Sequence, residues 1–164
     1  MVKYMYYLNI FILYSILGFL IESVLMHAFN SGIMYGPWTI VYGFGTVVIL
    51  IIGLMFKNLK INKSIKVFLQ FVVSGITLSI LELIAGYIIL YTRHIVYWDY
   101  TSMHFNIGRF ISLETSIIWG ILSIIIYYVF LPLTNKFIKK TPKYLTFLLL
   151  IAMIIDFIFS IIYK

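Results

Sequence analysis

The stretch "VFLQFVVSGITLSILELIAGYIILY" (67–91) runs for twenty-five residues with a single charged side chain, Glu82. As a helix rising 1.5 Å per residue it reaches about 38 Å, more than the roughly 30 Å hydrocarbon core of a bilayer. It is therefore read as a membrane-spanning helix. Outward from it the pattern repeats. Apolar runs at about 4–29, 38–56, 110–132 and 144–162 bring the predicted spans to five.

The 164 residues are 63% hydrophobic and only 10% charged, with a mean hydropathy of +1.09. Soluble domains carry about 25% charged residues, so a water-soluble protein is excluded. The expectation is an all-α, polytopic membrane helix bundle, a single transmembrane domain over residues 1–164. The first run begins behind Lys3 as a signal peptide would, but it outlasts the roughly 7–15 residues of a signal core and no small-residue cleavage site follows. It is read as a retained span. The chain has no Cys, which removes disulfides, thiolate metal centres and cysteine nucleophiles from consideration.

The connections differ in charge. "KNLKINKSIK" (57–66) and "TNKFIKKTPK" (134–143) carry four Lys each, "NSGIMYGP" (30–37) carries no charge, and 92–109 carries Arg93, Asp99 and Arg109. With Lys3 inside, five alternating spans place nine basic residues in the cytoplasm and three outside, the asymmetry that sets orientation. The expected topology has a cytoplasmic N-terminus and cytoplasmic Lys-rich loops in a cell (plasma) membrane, with loops 30–37 and 92–109 extracytoplasmic. The net charge of +7 then reflects lysines near anionic headgroups, and nucleic acid is not an expected partner.

None of the five acids lies in a cytoplasmic loop: Glu22, Glu82, Glu114 and Asp156 fall within or at the start of spans, and Asp99 lies in the second outer connection. Helical rise puts Glu22 about 10 Å, Glu82 about 15 Å, Glu114 about 6 Å and Asp156 about 9 Å below the outer end of their spans. An ionisable group at the centre of a span costs at least about 2.5–3.5 kcal/mol unless it is paired or faces a wet cavity. Arg109 is the cation best placed to answer these acids, with Arg93, His27, His94 and His104 in reserve. It is expected to meet Glu22 or Glu82 across the bundle. Glu114 would sit about 140° around the same helix, at 100° per residue, and so out of reach.

Helical spacing also groups small and polar residues into stripes: Ser15, Gly18 and Glu22; Gly75, Ser79, Glu82 and Gly86; Arg109, Ser112, Ser116, Gly120 and Ser123. Such stripes mark close helix contacts in lipid. Pro37 suits the first turn of span two. "YWDYTSMHFNIGR" (97–109) gathers more polar chemistry than an interfacial aromatic belt requires. A polar pocket of Glu22, Glu82, Asp99, His104, Asn106, Arg109 and Glu114 is therefore expected, lined by Tyr35, Pro37, Tyr42, Trp98, Tyr100 and Trp119. No GxxxxGK[ST], GxSxG or HExxH motif is present, so the chain is not by itself an ATPase, and no cofactor or metal is expected.

Read together, "YSILGFLIES" (14–23), "GIMYGPWTIVYGFG" (32–45), "LELIAGY" (81–87), "WDY" (98–100), "FNIGR" (105–109), "SIIWG" (116–120) and Pro132 resemble a bacterial membrane-protein family, the putative ABC-transporter permeases of the CmpB type. The family pattern falls on Gly18, Glu22, Gly36, Pro37, Tyr42, Gly43, Glu82, Gly86, Trp98, Asp99, Tyr100, Asn106, Gly108, Arg109, Trp119 and Gly120. One departure is Asn30-Ser31-Gly32, where members often carry an Asn-Arg pair. The resemblance implies a transport component. Five spans are few for a complete pore, so a separate ATP-binding subunit or a homo-oligomer is expected in the bilayer. Two other readings stay open: an intramembrane enzyme or binder for a lipid or isoprenoid-linked anionic headgroup held by Arg109, and a structural or accessory membrane protein.

Overall fold

The computed structural model describes residues 3–25 and 34–163. Residues 26–33, including His27 and the end of the first predicted span, lie outside the described residues, as does Lys164. Among the described residues the chain is all-helical: α1 (Lys3–Leu25), α2 (Ile40–Lys57), α3 (Lys63–Arg93), α4 (Leu113–Ile125), a π-helical segment (Ile126–Phe130), α5 (Leu131–Lys140) and α6 (Lys143–Tyr163). Five helices are long and apolar enough to cross a membrane, the fourth being the continuous run Leu113–Lys140.

That fourth helix departs from the hydropathy reading. The Lys-rich segment 134–143, expected as a loop, is helical through Lys140. Hydropathy records polarity rather than helicity, and lysine is a good helix former. Pro132 does not end the helix because the π segment immediately precedes it. The proline ring would clash with the carbonyl four residues back, and the wider π turn relieves that clash. The true stop is Thr141-Pro142, after which α6 begins.

The chain divides into two compact units, Met1–Val47 with Leu131–Lys164, and Val48–Phe130. In the first, polar rungs join α1 to α5 and α6. The Tyr6 hydroxyl donates to Asn135 Oδ1 at 3.1 Å, Asn9 Nδ2 to the Ile138 carbonyl at 3.1 Å, and the Thr146 hydroxyl to Asn9 Oδ1 at 2.6 Å. Tyr14 and Thr134 share a hydrogen bond of 3.0 Å. Lipid gives helices no hydrophobic reason to associate, and each such bond contributes about 0.6 kcal/mol on average. On its other side α1 meets the start of α2 through its predicted stripe. Gly18 faces the Tyr42 ring, and Gly43 faces Ser15 and the Phe11 carbonyl.

In the second unit α3 and α4 run antiparallel with their stripes in contact. Ser79 and Ser116 share a hydrogen bond of 2.7 Å, and the Ser123 hydroxyl donates to the Gln70 carbonyl at 3.3 Å. Between these rungs the backbones nearly touch. A Cβ on Gly75 would lie 2.8 Å from the Ser116 carbonyl oxygen, and one on Gly120 would lie 2.9 Å from that of Phe71. Gln70, 1% exposed, ties α2 to this pair by donating to the Ile49 carbonyl at 3.1 Å.

Candidate functional site

The polar residues fall into two clusters, one in each unit. In the second unit, α3 ends where His94 takes a left-handed conformation (φ 56°) and donates its N–H to the Leu90 carbonyl. The segment from there to Ser112 is folded by its own hydrogen bonds. The Tyr100 N–H donates to the Arg109 carbonyl at 2.8 Å, and Asn106 pairs with Ser112 as an antiparallel bridge around Gly108, whose φ of +70° suits glycine. Ser112 then caps α4, its hydroxyl accepting from the Thr115 N–H at 3.0 Å.

This register decides the ion pairing. The reversal sets residues 99 and 100 against 109, so the Arg109 guanidinium meets Asp99 at 3.0 Å. The carboxylate bound to Arg109 is thus Asp99, where the sequence pointed to Glu22 or Glu82. Arg109 also precedes α4, so the rotational argument that separated it from Glu114 does not apply. The pair is open to solvent, its side chains 44% and 38% exposed, where ion pairs contribute little. The Asp99 carboxyl is held below the usual carboxylate range, first by the Thr101 hydroxyl at 2.6 Å, then by the Thr101 N–H at 2.9 Å, with Arg109 adding to both.

Glu82 lies within α3 and takes neutral donors. The Tyr100 hydroxyl donates to Oε1 at 3.1 Å, and the Trp119 indole also donates to this carboxylate. Its second oxygen, Oε2, is buried and has no partner. Glu114, in the first turn of α4, accepts the Phe105 N–H at 3.1 Å, and its Oε2 is likewise buried without a partner. His104 is exposed, and the Asn106 side chain donates to the Gly108 carbonyl. Trp98 packs edge-on against Phe110, which is 1% exposed and fills the space beside Gly86.

In the first unit Glu22 accepts the Thr39 hydroxyl at 3.0 Å, while the Thr39 N–H donates to the Ser15 carbonyl at 2.9 Å. Tyr42 covers Gly18, and Pro37 is exposed before α2 rather than inside its first turn. The second acid here is Asp156 of α6, whose Oδ2 accepts the Gly36 N–H at 2.9 Å and the Trp38 indole N–H at 2.6 Å. The Tyr35 N–H donates to Ser160. Asp156, Trp38 and Thr39 are absent from the site read from the sequence. The available signal was Asp156 itself, an acid inside an apolar span. Among the described residues no group of three or more His, Cys, Asp or Glu side chains is placed to hold a metal ion.

Comparison with known proteins agrees with the motifs. No curated protein and no solved structure matches the chain. One family model does match, over residues 9–163, nearly the whole length. With five helices long and apolar enough to span a bilayer, the chain belongs to the multi-pass membrane-protein family described as "Putative ABC-transporter type IV".

Proposed function

We propose that this protein is the membrane-embedded, non-ATPase component of a bacterial ABC-type transporter, acting as one transmembrane domain of the plasma membrane beside a separate ATP-binding subunit. Family membership supports transport. The missing phosphate-binding loop assigns ATP hydrolysis to another chain. The lysine asymmetry supports a cytoplasmic N-terminus, with segments 57–66 and 134–143 facing the ATP-binding side and residues 94–112 facing out.

The polar intramembrane site of this component is centred on Glu82. The observation that carries this reading is a carboxylate inside a span whose Oε1 accepts the Tyr100 hydroxyl and whose buried Oε2 has no hydrogen-bond partner. A buried acceptor left open is costly, and within spans such groups mark substrate or ion pathways. Asp99 and Arg109 form the outer edge of this site and Trp119 its inner wall.

The test is purification of the tagged full chain from its native membranes in a mild detergent, with mass spectrometry of what accompanies it. A P-loop ATPase in fixed stoichiometry, and ATP hydrolysis lost on Glu82→Leu but not on His94→Ala, is the expected result. A chain that purifies alone, with no ATPase recovered after cross-linking in membranes, overturns the proposal.

A further inference from the structure

We propose that a groove beside Asp156 binds a hydrophobic organic cation drawn from the bilayer. The groove is shallow and open, with a volume of about 500 Å³, and is walled by Tyr35, Ala152, Ile155, Asp156 and Phe159. Apart from Asp156 its walls are apolar or aromatic. Phe159 stacks on Tyr163 with ring centroids 5.7 Å apart, and the Tyr35 hydroxyl donates to the Tyr163 carbonyl at 3.1 Å. Two rings thus stand in fixed positions beside a carboxylate, and the face of an aromatic ring attracts cations.

Among the described residues, only neutral donors meet the Asp156 carboxylate. Its two donors, the Gly36 N–H and the Trp38 indole, are neutral and both bind Oδ2. Among the described residues no ion pair joins Asp156. Within α6 the one lysine, Lys143, is thirteen residues away, about 20 Å along the axis, and Lys164, eight residues away in sequence, lies outside the described residues. A carboxylate with no counter-charge inside an apolar span is costly to maintain. A cation with an apolar body can reach Asp156 through the hydrocarbon beside Ile155 and Phe159, both more than half exposed, and removes that cost. An anion of the same shape fails on charge, and a small hydrated cation gains nothing from the apolar walls. The inference uses neither Glu82 nor an ATP-binding subunit, so it stands apart from the transport reading.

The test is equilibrium binding to the full chain in zwitterionic-lipid nanodiscs, with empty discs as reference. The probes are tetraphenylphosphonium, its anionic counterpart tetraphenylborate, and tetraethylammonium. Saturable binding of tetraphenylphosphonium alone is expected. Asp156→Asn keeps an acceptor for Gly36 and Trp38 and should weaken that binding at least tenfold, and Phe159→Ala severalfold. Equal binding of tetraphenylborate, equal binding of tetraethylammonium, or an unchanged affinity in a folded Asp156→Asn chain overturns the proposal. Where that variant fails to fold, charge selectivity in the unaltered chain together with Phe159→Ala decides it.

Discussion

Glu82 and Asp99 are carboxylates of the same unit, and they are satisfied in opposite ways. Asp99, at the surface, has the guanidinium of Arg109. Glu82, inside a span, has a phenol and an indole. Burying an ion pair strips hydration from both members, and their attraction often fails to restore it. A Tyr or Trp brings an apolar body with one donor at its edge, and suits the interior. Charge is therefore kept at the edge of this region while neutral donors serve its interior.

The largest expected effect comes from the helix contact that holds Glu82 in place. Gly120→Val forces a branched side chain against the Phe71 carbonyl, a backbone atom that cannot rotate away. A loss of about 2–3 kcal/mol is expected from such overpacking, read as a lower thermal midpoint of the detergent-purified protein. An unchanged midpoint would break the claim that α3 and α4 meet backbone to backbone there.

Two substitutions of Glu82 separate the roles of its neutral donors. Glu82→Gln keeps a carbonyl acceptor for the Tyr100 hydroxyl, whereas Glu82→Leu removes the carboxylate that both Tyr100 and Trp119 use. Each hydrogen bond lost at these half-buried donors costs about 0.5–1.5 kcal/mol, so the leucine variant should unfold at lower temperature than the glutamine variant. If the two unfold together, the neutral donors are not what accommodates this carboxylate.

Arg109→Ala should then be mild. A buried Arg109 network, as the sequence suggests, demands a large loss of stability. The exposed pair with Asp99 demands a midpoint change of at most about 2 °C. A shift as large as that of Glu82→Leu would restore the sequence expectation and reverse the comparison.

The parts of this architecture written in helical period were legible in the sequence. Gly75 and Ser79, like Ser116 and Gly120, repeat at the spacing that puts them on one face of their helix, so each stripe was legible as a contact face, though not which helix it meets. The partner of Arg109 could not be read. It depends on one left-handed residue, Gly108, and on hydrogen bonds between residues 99 and 112, which set a register that no periodicity encodes. Hydropathy likewise ended the fourth span at Pro132, because it cannot see that a π turn lets the helix continue through Lys136, Lys139 and Lys140. Asp156 was visible as an acid in a span, yet its donors Gly36 and Trp38 come from an irregular segment whose approach to α6 only the fold reveals.

The smallest effect is a pH dependence confined to the loop. The Asp99 carboxyl lies below its ordinary value, chiefly through the Thr101 hydroxyl and N–H. A depressed carboxyl contributes stability that is complete above the unfolded value, about 3.9, and is lost only as pH falls through the lower folded value. Residues 99–109 should therefore keep their order from pH 7 down to about 4.5 and loosen below about 3.9. Because the chain has no cysteine, one introduced at exposed Ser102 can carry a nitroxide label whose mobility reports this loop alone. Thr101→Val removes the leading cause of the depression while leaving Arg109 in place, and should move the transition upward. A transition in the unaltered loop centred above pH 4.5 would mean that Asp99 is not held by Thr101, and the surface half of the comparison with Glu82 would fall.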